Sequence, residues 1–231
     1  MNTHYDVIIF GGSSGIGLAS ALLFKSQNLS VLSISRNAEL KTQLRDAKID
    51  AINCNITSQT AIKELFTKLQ SVKHIVLTVS SEMYFESINN LNIDKAKEVY
   101  DKVWHYISII QESLNHFDDL ESITLISGAI ADTNAPDTIA LKLLASSTNQ
   151  IAKTLAVEIA PIRINAVAPG ITNTPLFDAF DNKEQMINDF ANGTPLKRVA
   201  QPKEIAEAIS FVTLNKNMTG AIINIDGGAV L

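Results

Sequence analysis

The feature that most constrains this 231-residue chain lies at its start. The apolar run Tyr5-Asp6-Val7-Ile8-Ile9-Phe10 leads into Gly11-Gly12-Ser13-Ser14-Gly15-Ile16-Gly17, followed by Leu18, Ala19, Ala21, Leu22 and Leu23 at helical spacing. A strand, a glycine turn and a helix in that order bring free backbone N–H groups and the positive end of a helix dipole to one point. Glycines lack Cβ and tolerate positive φ, so backbone there can approach a pyrophosphate closely. A glycine cluster alone says little. Preceded by a strand and followed by a helix, it has the context of a dinucleotide-binding turn.

Further apolar runs follow at residues 30–35, 50–53, 74–79, 122–127, 162–167 and 221–225, with helical patterns between them. Such alternation implies a parallel sheet covered by helices on both faces, and the runs are continuously apolar, as strands buried on both sides should be. With 46% hydrophobic residues and no linker, repeat or low-complexity stretch, the chain can build one core. The expectation is a single doubly wound α/β domain over residues 1–231, a Rossmann fold with a parallel sheet of about seven strands.

Several ordered motifs then carry a family resemblance. Gly11-x-x-x-Gly15-Ile16-Gly17, Leu155-Ala156-Val157-Glu158, Arg163-Ile164-Asn165-Ala166-Val167-Ala168-Pro169-Gly170, Thr174-Pro175 and Asp226-Gly227-Gly228 match the order and spacing of the short-chain dehydrogenase/reductases, which the chain resembles from end to end. The resemblance implies a nicotinamide dinucleotide cradled by Gly11, Ser13, Ser14, Gly15, Ile16 and Gly17. It puts Asn55 and Ile56 along the adenine, and Val79 and Ser80, within Thr78-Val79-Ser80-Ser81, beside the ribose. Pro169, Gly170, Ile171 and Thr174 would hold the carboxamide. Phe10 and Asn55 depart from the family, which usually has Thr and Asp at these places.

Cofactor choice rests on the end of the second strand. A carboxylate there would bond the adenosine ribose and repel a 2′-phosphate, whereas an Arg can pair with that phosphate. Ser35 and Arg36 occupy the place, so NADP(H) is expected over NAD(H).

The catalytic positions read differently. Counting back from Lys153-Thr154-Leu155-Ala156 along one helix, the family's Tyr-x-x-x-Lys pair falls on Leu141 and Ala145; its Ser falls on Gly128, and its Asn on Lys102. Neither Leu nor Ala can transfer a proton, and a positioned general acid contributes roughly 10²–10⁴-fold. The residues that could replace it are Ser127, Tyr84 and Lys102. Thr138 and Lys142 are also four apart on a helix face, but to serve they would need a different spacing to Leu155.

Composition sets further limits. A net charge of −5 without a basic run argues against nucleic acid as a partner. No cluster has zinc-ligand spacing, and the lone Cys54 is expected to pack as a small apolar residue. No apolar stretch is long enough to span a bilayer, and a first strand so near Met1 leaves no room for a signal peptide, so a cytoplasmic protein is expected. Ile107, Ile110, Leu144 and Ile151, on helical patterns around residues 95–116 and 136–160, exceed one core-facing stripe and suggest a homodimer or homotetramer. Two readings stay open: an NADP(H)-dependent oxidoreductase of a small molecule with non-standard or impaired proton transfer, and a catalytically inactive NADP(H)-binding sensor or partner subunit.

Overall fold

Runs of Val, Ile and Leu buried on both sides form the centre of the molecule, a seven-stranded sheet in the order β3-β2-β1-β4-β5-β6-β7. The computed structural model describes residues 2–231. Its strands are β1 (His4–Phe10), β2 (Val31–Ser35), β3 (Asp50–Asn53), β4 (Ser71–Leu77), β5 (Ser122–Ile126), β6 (Arg163–Pro169) and β7 (Ile222–Ile225). Every neighbouring pair is parallel. The helices are α1 (Gly15–Ser26), α2 (Thr42–Asp46), α3 (Gln59–Phe66), α4 (Ile93–Tyr100), α5 (Lys102–Leu114), α6 (Ile139–Glu158), α7 (Lys183–Gly193) and α8 (Pro202–Leu214).

Strand order reverses between β1 and β4, which pair directly with Phe10 opposite Leu77. In an open α/β sheet this reversal opens a crevice at the carboxyl ends of the strands, and the crevice takes the ligand. One face of the sheet is packed by a cluster that includes Ile8, Phe10, Leu77, Tyr106, Leu125 and Ala152, and the other by one that includes Val7, Ile9, Phe24, Val76, Ile205 and Ile209. The alternation of Ile8 and Ile9 between the two is the period-2 geometry of a strand. Cys54 belongs to the first cluster, as its composition suggested, and burial raises its thiol pKa.

A third cluster lies beyond the sheet edge and joins Tyr84, Val99, Val103, Ala140, Leu141 and Leu144. It corrects the expected surface: Ile110 and Leu144 are 2% and 6% exposed, while Ile107 and Ile151 pack partly buried against the clusters. α5 and α6 bury more than one stripe because each touches the sheet on one side and a neighbouring helix on another. The large apolar side chains they do expose are Trp104, Ile139, Leu143 and Val157. The helical pattern around 95–116 is divided at Asp101, although hydrogen bonds from Asp101 N to Lys97 O and from His105 N to Asp101 O carry across the break.

Candidate dinucleotide and catalytic site

Close backbone approach makes the glycine turn specific. Gly11 has φ of +87°, and a Cβ added to it would lie 2.9 Å from the Thr78 carbonyl carbon and from Val79 N. At Gly17 a Cβ would lie 2.2 Å from the Gly11 carbonyl oxygen, so nothing larger than glycine fits between turn and helix. Ser14 caps α1 without a side-chain hydrogen bond, and the first turn carries no acidic residue. The N–H groups at the start of this 12-residue helix are therefore left for an anion.

The loop after β6 closes onto the same turn. A Cβ on Gly15 would lie 3.3 Å from Thr174 Cβ, which places the expected carboxamide-holding segment beside the expected pyrophosphate cradle. Gly170 N donates to Ile225 O at 3.0 Å, pinning that loop to β7, and Thr172 Oγ1 donates to Gly170 O. Pro169 ends β6, and Ile171 stands between these contacts, its carbonyl accepting from Ala200 N.

At the end of β2, Ser35 Oγ is buried without a hydrogen-bond partner, and Arg36 is exposed with no ion pair among the described residues. A hydroxyl lacking a partner next to a free guanidinium fits the ribose and phosphate of an NADP(H) adenosine half. Ile56 packs on the core, while Asn55 Oδ1 accepts from Thr57 N and Thr57 Oγ1, so it shapes its own turn. Val79 lies against Gly11, and Ser80 is exposed immediately beyond it.

The catalytic positions also come together. α6 runs unbroken for 20 residues, and Leu141 and Ala145 are buried on it at 8% and 4% exposure. A Cβ on Gly128 would lie 3.8 Å from Ala145 Cβ, so the two positions face each other across the site with no polar atom on either side chain. Leu141 packs into the apolar cluster with Tyr84.

The possible replacements differ in what their polar atoms are doing. Ser127 Oγ donates to Ala145 O at 3.0 Å, so its proton is held by the α6 backbone. Tyr84 OH accepts from Asn92 N at 2.9 Å, drawing the phenol toward the start of α4. Thr138 Oγ1 donates to Ala135 O and Lys142 Nζ to Thr133 O, which engages that pair in the loop preceding α6. Lys102 is different. It is buried at 9% exposure, its Nζ is 3.5 Å from Ile126 O at the end of β5 and 5.0 Å from the centre of the Tyr106 ring. Burial alone pulls its ammonium pKa down to about 8.

Tyr106 escaped the sequence reading. Its hydroxyl donates to Leu77 O at 2.8 Å, with Val79 O at 3.2 Å, tying α5 to the carboxyl end of β4. The signal that could have found it is its spacing, four residues after Lys102 on the same helix face.

Comparison with known proteins agrees with this fold. A family model described as enoyl-(acyl carrier protein) reductase matches residues 11–230. The chain is 28% identical to the 3-oxoacyl-(acyl-carrier-protein) reductase FabG of Thermotoga maritima, over 97% of each chain. Among solved structures it resembles a short chain dehydrogenase family protein from Francisella tularensis, at 29% identity and a TM-score of 0.82 over 98% of both chains. It also resembles a small-chain dehydrogenase in complex with NADPH, at 24% identity and a TM-score of 0.85, covering 98% of this chain and 99% of the other. With its parallel sheet, its glycine turn and a family match across nearly its whole length, this chain belongs to the short-chain dehydrogenase/reductase family of oxidoreductases.

Proposed function

We propose that this protein binds NADP(H) in preference to NAD(H) and is an oxidoreductase whose side-chain proton relay is impaired. When bound, the cofactor supplies the hydride for reduction of a small carbonyl compound. The remaining requirement, a proton for the developing alkoxide, falls to the chain's own residues, and the observation that carries the reading is Gly128 facing Ala145 beside an intact nucleotide cradle. Of the three replacements, Ser127 is held by the Ala145 carbonyl and Tyr84 is drawn toward Asn92, which leaves Lys102 the best-placed group. An ammonium with a pKa near 8 matches the demand on a general acid working close to neutrality.

The second reading, an NADP(H)-binding sensor or partner subunit, is favoured by Leu141, which fills the relay position with apolar packing. Either way we place the chain in the cytoplasm, a reducing compartment suited to the free Cys54, and as a homodimer or homotetramer. Among the described residues no helix is long and apolar enough to cross a membrane.

Calorimetric titration with NADPH and NADH, followed by NADPH-oxidation assays with simple diketones and quinones, tests the reading. The expected result is tighter binding of NADPH than of NADH, with turnover slow or absent. Rapid turnover unaffected by changes at Ser127, Tyr84 or Lys102 would refute the impaired relay, and failure to bind either cofactor would refute the reading as a whole.

A further inference from the structure

Lys102 is an unusual use of a lysine. Its residue type is almost never buried unless paired, yet it is 9% exposed and forms none of the ion pairs among the described residues. An ammonium has three donors, and among the described residues the one acceptor this amine meets is Ile126 O at 3.5 Å.

The amine's location gives the arrangement a purpose. Ile126 ends β5, and Tyr106, over whose ring Lys102 sits, bonds the carbonyls of Leu77 and Val79 at the end of β4. These strand ends border the β1–β4 reversal, and Val79 lies directly against Gly11 of the nucleotide turn. The amine therefore stands at the carboxyl edge of the sheet, beside the strand ends that reach the nucleotide turn, with unused donors.

We propose that Lys102 is the cofactor's cationic contact, donating to ribose hydroxyls on the nicotinamide side, and that dinucleotide binding and protonation of Lys102 are coupled. The inference rests on the NADP(H) reading above. A bound dinucleotide brings acceptors and negative charge to an amine that otherwise has one distant carbonyl, so the charged form is favoured in the complex and disfavoured without it.

Few other groups compete for this role. On α5 itself the titratable neighbours are Tyr106 in contact, exposed Asp101 and half-buried His105. From α4, Tyr100 shares a hydrogen bond with Ser147 of α6. The α6 residues facing the site, Leu141, Leu144 and Ala145, carry no charge, and Lys142 is engaged with Thr133 O. On β4, His74 pairs with Ser122 three residues before the Leu77 end, and β5 itself bears no charged residue.

The test compares the unmodified protein with Lys102→Met and Lys102→Gln by titration with NADPH and with NADH from pH 6.5 to 9. Near neutral pH both variants lose roughly tenfold or more in affinity, the scale of one hydrogen bond to a charged group, and they lose it equally for the two cofactors. Calorimetry at pH 8 in two buffers of different ionisation enthalpy shows proton uptake on binding that both variants lack. Thermal unfolding confirms that the variants are folded, and a fold defect in one leaves the other to decide. Unchanged affinity and proton uptake in a folded variant would overturn this inference while leaving the NADP(H) reading intact. An unmodified protein that binds neither cofactor would overturn both.

Discussion

Two regions at the carboxyl edge of the same sheet differ in whether backbone or side chains define them. The β1–α1–β2 region combines a turn too tight for any side chain at Gly11 and Gly17, an uncapped helix start, and an unpartnered Ser35 hydroxyl next in sequence to an exposed Arg36. The β5–α5–α6 region has an equally regular backbone, but Gly128, Leu141 and Ala145 bring no polar side-chain atom to the space between β5 and α6. α6 is continuous and Gly128 still faces Ala145, so the space for catalytic groups exists without the groups. The turn is defined by backbone geometry, encoded by glycines that cannot be replaced without collision. Proton transfer depends on three side chains, each removable without disturbing a strand or a helix.

The largest expected effect breaks the intact side of the comparison. Gly17→Ala puts a methyl group 2.2 Å from the Gly11 oxygen and 2.5 Å from Thr78 Oγ1, a collision relieved only by moving the turn. Loss of NADPH binding below detection and destabilisation of more than about 3 kcal/mol are expected, read by calorimetry and by urea unfolding. A variant that binds normally would show that the turn is not the cradle.

Restoring the other side is the next largest. Leu141→Tyr with Ala145→Lys and Gly128→Ser returns a phenol, an ammonium and a hydroxyl to one face of α6 and the strand end opposite. Gly128 has extended backbone, φ −167°, and its added Cβ meets only Ile130 Cγ2 at 3.5 Å and Ala145 Cβ at 3.8 Å, so the serine is accommodated. Tyrosine overfills the apolar cluster at Leu141, at a cost of about 1–3 kcal/mol. Turnover of activated diketones should rise by roughly 10²–10⁴-fold over the unmodified protein in an NADPH-oxidation assay. No gain, with NADPH bound and the fold intact, would mean that the register along α6 is wrong.

How much of this was legible in the sequence follows the locality of each feature. Strand, turn and helix at residues 4–26 are specified by adjacent residues, and the expected turn is the one found. The position of Leu141 and Ala145 was countable because one helix runs from them to the Leu155 motif. Strand ends were less legible: β4 stops at Leu77, two residues short of the apolar run, and Thr78 just beyond it donates both N–H and hydroxyl to the Phe10 carbonyl. What Ser127 bonds and how deeply Lys102 is buried depend on how α5 and α6 pack against β5, contacts between residues 18 and 24 positions apart. The same packing hid Ile110 and Leu144, which the sequence suggested for a subunit interface.

Lys102 sharpens the comparison through pH. Its folded pKa of about 8 lies below the 10.5 of the unfolded chain, so between these values the unfolded state binds more protons and stability rises with pH. Below about 8 the penalty is fully present. Lys102→Met removes it, so the variant should be more stable than the unmodified protein at pH 7 by on the order of 3 kcal/mol, a difference that shrinks toward pH 10. Urea unfolding across pH 7–10 measures both slopes, and parallel slopes would show that folding does not lower the pKa of this amine. A stabilised variant that binds cofactor less tightly would identify Lys102 as a residue kept for function at the expense of the fold.

The smallest effect concerns which cofactor the intact region prefers. Arg36 is exposed, so its attraction to a 2′-phosphate is screened by solvent and salt, and the gain is modest compared with a buried contact. Arg36→Ala should weaken NADPH by roughly 5- to 30-fold, the scale of one charge-assisted contact at the surface, and leave NADH almost unchanged. The asymmetry separates this residue from Lys102, whose replacement weakens both cofactors alike. Ser35→Asp carries the argument further: a carboxylate at the orphaned Ser35 hydroxyl would accept from a free 2′-hydroxyl and repel a 2′-phosphate, so NADH should gain affinity as NADPH loses it. Raising the salt concentration should narrow the NADPH advantage in the unmodified protein and leave Arg36→Ala unaffected. Equal affinities for the two cofactors in the unmodified protein at low salt would show instead that Arg36 is a solvated loop residue and that the end of β2 does not choose between them.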